Sequence, residues 1–279
     1  MLKNLNKTAD LHIHTIASDG ADTVREALEE ARKVNLSAIS ITDHDSVDSL
    51  PEAALLAPEY MIELIPGVEL SVDLGDAEMH LLGYFIDYKN KALLKCLSRL
   101  RDIRAGRAER MLKKLEEMGF PLEMETLLPG QMSGAIGRLH IAQGLFRAGY
   151  VKSVAEAFKR YIGNNGPANI PKMKLTREEA LELIIRAGGV PVMAHPKQLN
   201  RDELIPELID LGLAGLEAYY PSHSRFTTNH YVELARHYGI LATGGSDCHG
   251  ANKDNVVMGD IRVPYRIVED LRERANVNR

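Results

Sequence analysis

The feature that most restricts this chain is a rhythm. Short apolar, β-branched segments close on a histidine or a carboxylate, and amphipathic helical segments separate them. The first is Asp10-Leu11-His12-Ile13-His14, which follows a short polar leader. Side chains alternate across a strand, so His12 and His14 share one face and Leu11 and Ile13 the other. Residues 15–20 form a polar loop. Asp22 or Thr23 then caps a helix whose apolar positions Val24, Ala27, Leu28, Ala31 and Val34 follow helical spacing. A second strand, 36–42, ends in Asp43-His44-Asp45, and a helix is expected at 48–56. A third strand, 61–68, leads into Glu69, and a fourth, 78–86, carries His80.

At residue 89 the rhythm stops. A long helical stretch rich in Arg and Lys runs to 118, and 121–134 reads as irregular. Two more helices are expected at 141–146 and 154–161, before Gly163-Asn164-Asn165-Gly166-Pro167 breaks the chain. Alternation resumes at Thr176-Arg177-Glu178-Glu179, a capping box for a helix to 187. The strand 189–194 ends in His195, and a helix follows near 204–211. The strand 215–219 shows no ligand of its own, and a helix at 226–238 follows it. The strand 241–245 ends in Ser246-Asp247-Cys248-His249, and a last helix lies near 268–275. Repeated strand–helix units with right-handed crossovers predict an α/β fold with a parallel sheet, open or closed into a barrel. The expected domains are a barrel of residues 1–88 and 171–279 and an inserted helical cap of 89–170.

In a barrel the C-terminal strand ends converge on one face, so His12, His14, His44, Glu69, His80, His195, Asp247 and His249 should meet in one pocket. One histidine at a strand end is ordinarily a hydrogen-bonded structural group. Six at equivalent positions, with Glu69, Asp247 and the loop residue Asp19, point instead to a metal site. Imidazole and carboxylate donors without thiolate suit zinc, manganese or iron. Asp247 and His249 repeat the two-residue spacing of His12 and His14, so Cys248 should point away as a small buried residue. Asp43 is read as orienting a neighbouring ligand.

Composition removes several other functions. A net charge of -5, an aromatic content of 5% and the lack of Trp argue against a duplex-wrapping surface or a long base-stacking platform. Two cysteines are too few for a disulfide framework. Neither a signal-peptide pattern nor a bilayer-length apolar run is seen. A cytoplasmic protein with no membrane partner and no stable duplex partner is expected.

Together, His12-Ile13-His14, Thr42-Asp43-His44-Asp45, Pro66-Gly67-Val68-Glu69, Ala194-His195-Pro196 and Gly245-Ser246-Asp247-Cys248-His249 resemble the PHP (polymerase and histidinol phosphatase) family, in the family's order and over almost the whole chain. The resemblance implies a distorted (β/α)7 barrel holding two to three divalent ions (Mn, Fe or Zn). One ion would take His12, His14, Glu69 and Asp247. A second would share Glu69 and add His80 and His195. A third would take Asp19, His44 and His249. Some members carry His where this chain has Asp19, which implies weaker or exchangeable occupancy there.

The helical insertion, with Gly137-Arg138-Leu139-His140, resembles that of the smaller PHP phosphoesterases acting on nucleotides, although relatives often have Pro at the Leu139 position. These include 3',5'-nucleoside bisphosphate phosphatases, AMP-releasing phosphatases and 5'-3' exonucleases of short RNA. The implied activity is phosphoester hydrolysis of a small nucleotide, with trimming of short oligoribonucleotides, by a metal-activated hydroxide and without a covalent intermediate. The alternatives are a phosphatase of a non-nucleotide metabolite such as histidinol phosphate, and a non-catalytic metal-binding regulator. His223 is the candidate for contacting phosphate or protonating the leaving group, and Asp43 is carried beside it as a catalytic candidate. Arg107, Arg138 and His140 are further phosphate-binding candidates from the insertion, with Lys172 and Lys174 behind them.

Overall fold

A computed structural model describes residues 7–127, 137–170, 174–252 and 256–278. Lys172 and residues 128–134 of the segment read as irregular lie outside them. The chain opens with β1 (Thr8–Ile13), α1 (Val24–Lys33), β2 (Ala38–Ile41) and α2 (Leu50–Leu56). Thr23 is the cap of α1: its hydroxyl accepts from the Glu26 N–H and Glu26 reaches back to the Thr23 N–H. Next come β3 (Glu63–Asp73), β4 (Glu78–Tyr84), α3 (Lys91–Glu117), α4 (Arg138–Arg147) and α5 (Val154–Ala157). The remainder is α6 (Arg177–Arg186), β5 (Val190–Met193), α7 (Pro196–Leu199), α8 (Ile205–Asp210), β6 (Gly215–Tyr219), α9 (Arg225–Tyr238), β7 (Leu241–Gly244), β8 (Val263–Pro264) and α10 (Tyr265–Asn278). None of the described helices is long and apolar enough to cross a membrane.

The sheet runs β7-β6-β5-β4-β3-β2-β1-β8. The pairs β1/β2, β2/β3, β5/β6 and β6/β7 are parallel, as expected. β4 is not: it is antiparallel to both β3 and β5. Only residues 74–77 join β3 to β4, closed by the Leu74 N–H on the Ala77 carbonyl, and a parallel pairing needs a crossover of about a dozen residues. This changes how two site residues are delivered. Glu69 lies inside a long β3 rather than at its end, opposite Leu82. His80 lies near the start of β4, opposite Ser71.

The two ends of the sheet meet. Beyond β7 the Asp247 N–H donates to the His12 carbonyl (2.7 Å) and the His14 N–H to the Cys248 carbonyl (2.9 Å), a parallel bridge that nearly closes a barrel. The approach requires Gly245, because a Cβ there would lie 2.4 Å from the His12 backbone nitrogen. The two-residue β8 adds an antiparallel partner to the start of β1. α10 packs Val268, Leu271 and Ala275 into an apolar cluster with Ala9, Leu11, Val190 and Val192.

By its contacts the chain divides into Met1–Lys95 with Lys174–Arg279, the barrel unit, and Cys96–Met173, the helical unit. The helical unit has its own core of Met111, Leu115, Leu127, Ile141, Leu145 and Ile162, among others. Its expected helix at 154–161 is α5 followed by a π-helical turn, Phe158–Ile162.

Candidate metal centre

β1 is buried from Ala9 to Ile13, and alternation turns His12 and His14 the same way, with ring centroids 5.1 Å apart. Their Nε2 atoms lie 3.1 Å from each other. Fully buried Glu69 stands at the centre of the cluster. Its Oε2 lies 3.3 Å from His12 Nε2, 3.2 Å from His14 Nε2 and 3.0 Å from His44 Nδ1. Its Oε1 lies 3.0 Å from His80 Nδ1 and 3.1 Å from His195 Nε2. Asp247 Oδ1 faces His12 and His14 Nε2 at 3.4 and 3.2 Å and His249 Nδ1 at 3.5 Å. Asp19 Oδ1 is 3.3 Å from His249 Nε2 and 3.7 Å from His14 Nδ1, and its Oδ2 is 3.9 Å from His44 Nε2. The structure thus brings the nine residues read as ligands into one constellation.

Three sets within it can each converge donor atoms to within 4.8 Å of one another: His12, His14 and Asp247; His44, Glu69 and His80; and His14, Asp19, His44 and His249. His14 and His44 each stand in two sets, so the subsites overlap more than the implied partition of ligands. Cys248 is turned away, its sulfur accepting from the Gly250 N–H at 3.4 Å.

Electrostatics favour cations here. Burial alone would raise the carboxyls of Asp19, Glu69 and Asp247, yet the imidazoles around them hold all three well below the usual range. Burial alone would lower the imidazoles. The facing carboxylates outweigh it, lifting His12 well above its ordinary value, His14 to about 10 and His80 to about 9. His44 goes the other way: burial, with His14 and His80 beside it, pushes it well down. His14 Nδ1, Asp19 Oδ1, His44 Nδ1, Glu69 Oε2 and His80 Nδ1 are buried and make no hydrogen bond with a described residue. Buried polar atoms are ordinarily satisfied, and nitrogen and oxygen donors converging in this way fit divalent metal ions.

The surroundings are built from polar side chains too. Asp43, buried and read as catalytic or ligand-orienting, accepts from the Thr15 N–H (2.7 Å) and the hydroxyls of Thr15 (2.8 Å), Ser18 (2.7 Å) and Ser49 (2.5 Å). It organises the loop after His14 rather than pointing an oxygen at a ligand ring. Gly20 completes that loop, because a Cβ there would lie 2.5 Å from the His14 carbonyl oxygen.

Three residues escaped the sequence reading. Asp10 accepts backbone N–H groups from Ser246, Gly259 and His12, and burial, opposed by these bonds, pushes it up to about 6. Tyr220 donates its hydroxyl to Asp247 Oδ2 at 2.7 Å. Fully buried Glu217 touches His12 and His195 from the strand read as lacking a ligand. A lone Glu inside the apolar Gly215–Tyr219 was the available signal.

The phosphate-binding candidates divide by unit. His223, in the barrel unit, is half-buried and donates from Nδ1 to the Ala218 carbonyl (2.9 Å), which leaves Nε2 without a described partner. Lys174 pairs with Glu78 at 3.1 Å, and Glu78 also contacts His80 Nε2 at 3.2 Å. In the helical unit, Arg107 is buried and donates to the Ile170 carbonyl (2.5 Å). Arg138 donates to Asn164 Oδ1 (2.7 Å) and lies over the Phe158 ring, and His140 Nδ1 accepts from the Gly137 N–H (3.1 Å).

The PHP domain family model matches residues 10–168. The chain is 32% identical over 254 residues to the 3',5'-nucleoside bisphosphate phosphatase of Chromobacterium violaceum, covering 86% of this chain and 86% of that protein. It is 29% identical over 246 residues to the phosphoribosyl 1,2-cyclic phosphate 1,2-diphosphodiesterase of Eggerthella lenta, with 86% and 94% covered. It is 30% identical over 249 residues to the 5'-3' exoribonuclease Rnm of Salmonella typhimurium, with 86% and 84% covered. Among solved structures, a metal-dependent phosphoesterase of Bifidobacterium adolescentis aligns with a TM-score of 0.87 at 29% identity, covering 98% of each chain.

Proposed function

Because this chain belongs to the PHP-domain family and is a hydrolase of phosphoester bonds, we propose that it removes phosphate from a small nucleotide. The substrate is a 3',5'-nucleoside bisphosphate or an AMP-like monoester, and short RNA trimmed from its 5' end is a further one. The relatives named for a bisphosphate and for RNA support this choice. The observation that carries the reading is Glu69, a buried carboxylate whose two oxygens face five imidazoles at 3.0–3.3 Å.

Two to three divalent ions, manganese, iron or zinc, are held as follows. His12, His14, Glu69 and Asp247 hold one. Glu69, His80 and His195 hold another. Asp19, His44 and His249 hold the third, with its weaker carboxylate contacts. When bound, such ions polarise phosphate oxygens and acidify water. Around them, Tyr220 fixes the orientation of Asp247, and Glu69 ties the two main subsites together. His223 presents Nε2 to the phosphate or the leaving oxygen, because its Nδ1 is held by the Ala218 carbonyl. Arg107, Arg138 and His140, which already bond Ile170, Asn164 and Gly137, serve a second phosphate. We further propose residues 1–88 and 171–279 as the catalytic domain, 89–170 as its cap, and the cytoplasm as its location.

A non-nucleotide sugar phosphate is the second reading, favoured by the cyclic phosphodiesterase relative. The complete donor set speaks against a non-catalytic regulator. A hydrolysis screen with added manganese, reading inorganic phosphate together with released nucleotides and ring-opened products by chromatography, separates these readings. Its substrates are 3',5'-bisphosphates, mononucleotides, 5'-phosphorylated short RNAs, histidinol phosphate and a ribose 1,2-cyclic phosphate. Release from a nucleotide is expected, and turnover confined to the last two would overturn the leading proposal.

A further inference from the structure

The carboxylate of Glu217 belongs to none of the proposed ligand sets, yet it touches two of them. It is fully buried in β6. Its Oε1 lies 2.9 Å from His12 Nδ1, and its Oε2 accepts the backbone N–H of His195 at 2.8 Å. The other nitrogen of His12, Nε2, faces Glu69 and Asp247. A cation bound at Nε2 requires the neutral imidazole, which carries one proton. With that proton on Nδ1, donated to Glu217, the Nε2 lone pair is directed at the carboxylates, where a cation binds. With the opposite tautomer an N–H would point there instead.

The second contact works on the backbone. His195 has φ +29 and ψ 58, a conformation that non-glycine residues rarely adopt. That bend directs its Nε2 to Glu69 Oε1 at 3.1 Å. A carboxylate bond to the N–H is of the stronger, charge-assisted kind and holds the bend in place.

We propose that Glu217 is a positioning residue that sets the tautomer of His12 and the backbone of His195 together. One carboxylate then aligns a donor on each side of Glu69. The inference rests on the reading of His12 and His195 as metal ligands. It makes Gln a poor replacement despite its equal size. If the amide oxygen accepts from His12, the amide NH2 meets the His195 N–H, donor against donor. If the amide is flipped, its NH2 faces His12 Nδ1 and drives the proton onto Nε2.

The test uses the full chain, stripped with a chelator and titrated with Mn(II). Glu217→Gln should lose about 10–100-fold in Mn(II) affinity. Thr243→Val, which removes a buried hydroxyl from the residue paired with Glu217 on β7, should bind Mn(II) as wild type does. Nitrogen-15 NMR of the zinc-loaded wild-type protein should find the His12 proton on Nδ1, a readout that needs no variant to fold. Wild-type affinity in Glu217→Gln would overturn the inference alone, whereas a His12 proton on Nε2 would overturn it together with the reading of His12 as a ligand through that nitrogen. Failure of wild type to bind Mn(II) or zinc would overturn the ligand reading and the inference with it.

Discussion

The barrel unit and the helical unit bury different chemistry. Of the buried polar and charged side chains described, only Arg107 and His140 belong to the helical unit. The barrel unit holds the rest, including Asp10, His12, His14, Asp43, Glu69, His195, Glu217 and Asp247. The helical unit closes on Leu, Ile, Met and Tyr, and none of its described residues leaves a buried side-chain donor or acceptor atom without a partner. The barrel unit leaves buried donor atoms facing one another. One interior is complete when the chain folds, while the other has a charge arrangement that cations complete.

The largest test of that contrast is Glu69→Gln. It should reduce phosphate release by about 10²–10³-fold, a loss on the scale of removing one electrostatic group from a reaction centre. Bound metal, measured by elemental analysis, should fall with it. Metal removal comes next. Chelation should withdraw roughly 3–4 kcal/mol of ligand-linked stability at saturating metal. Hydrogen exchange should then rise around His12, Glu69 and Asp247 and stay unchanged around Leu145. Equal loosening of both units would break the comparison.

Leu145→Ala inverts the experiment. A cavity in the helical core should cost about 2–5 kcal/mol in denaturant melts, while metal stoichiometry stays at the wild-type value.

A pH series on stripped protein asks the same question with protons in place of metal. His14 is held near 10 by Asp247 and Glu69 against the opposing effect of burial. A histidine raised in the fold contributes stability that is full below its unfolded pKa of about 6.5 and is lost as pH rises toward 10. Stripped protein should therefore lose melting temperature from pH 7 to 10, and metal-loaded protein should lose less. The smallest effect expected is from Thr176→Ala, which removes the α6 capping box at about 1 kcal/mol. It should move the melting temperature and leave metal affinity alone, separating polar groups that serve the fold from those that serve the site.

Much of this is legible in the sequence. Alternation in β1 made His12 and His14 neighbours on one face, and the two-residue spacing at Asp247 and His249 turned Cys248 away. The capping boxes at Thr23 and Thr176 marked helix starts because their chemistry is local. The direction of β4 was missed although the short 74–77 connection specified it. Glu217 was missed for a different reason. It is 205 residues from His12, and an isolated Glu in an apolar strand has no local partner to reveal its purpose. For Arg107 and Arg138 of the insertion, charge suggested phosphate, and the tertiary structure adds bonds to Ile170 and Asn164 that no local pattern announces.

The sequence by itself determined which donors this protein has, and that His12, His14, His44, His195, Asp247 and His249 recur at or near the C-terminal ends of strands. Both follow from residue identity and short-range periodicity. Only the tertiary structure decided which ring faces which oxygen. That depends on the reversed β4, which brings His80 to Glu69, and on the glycine-permitted closure of β7 onto β1, which brings Asp247 to His12. Register across a nearly closed barrel is a property of all its strands at once, and no stretch of the chain carries it alone.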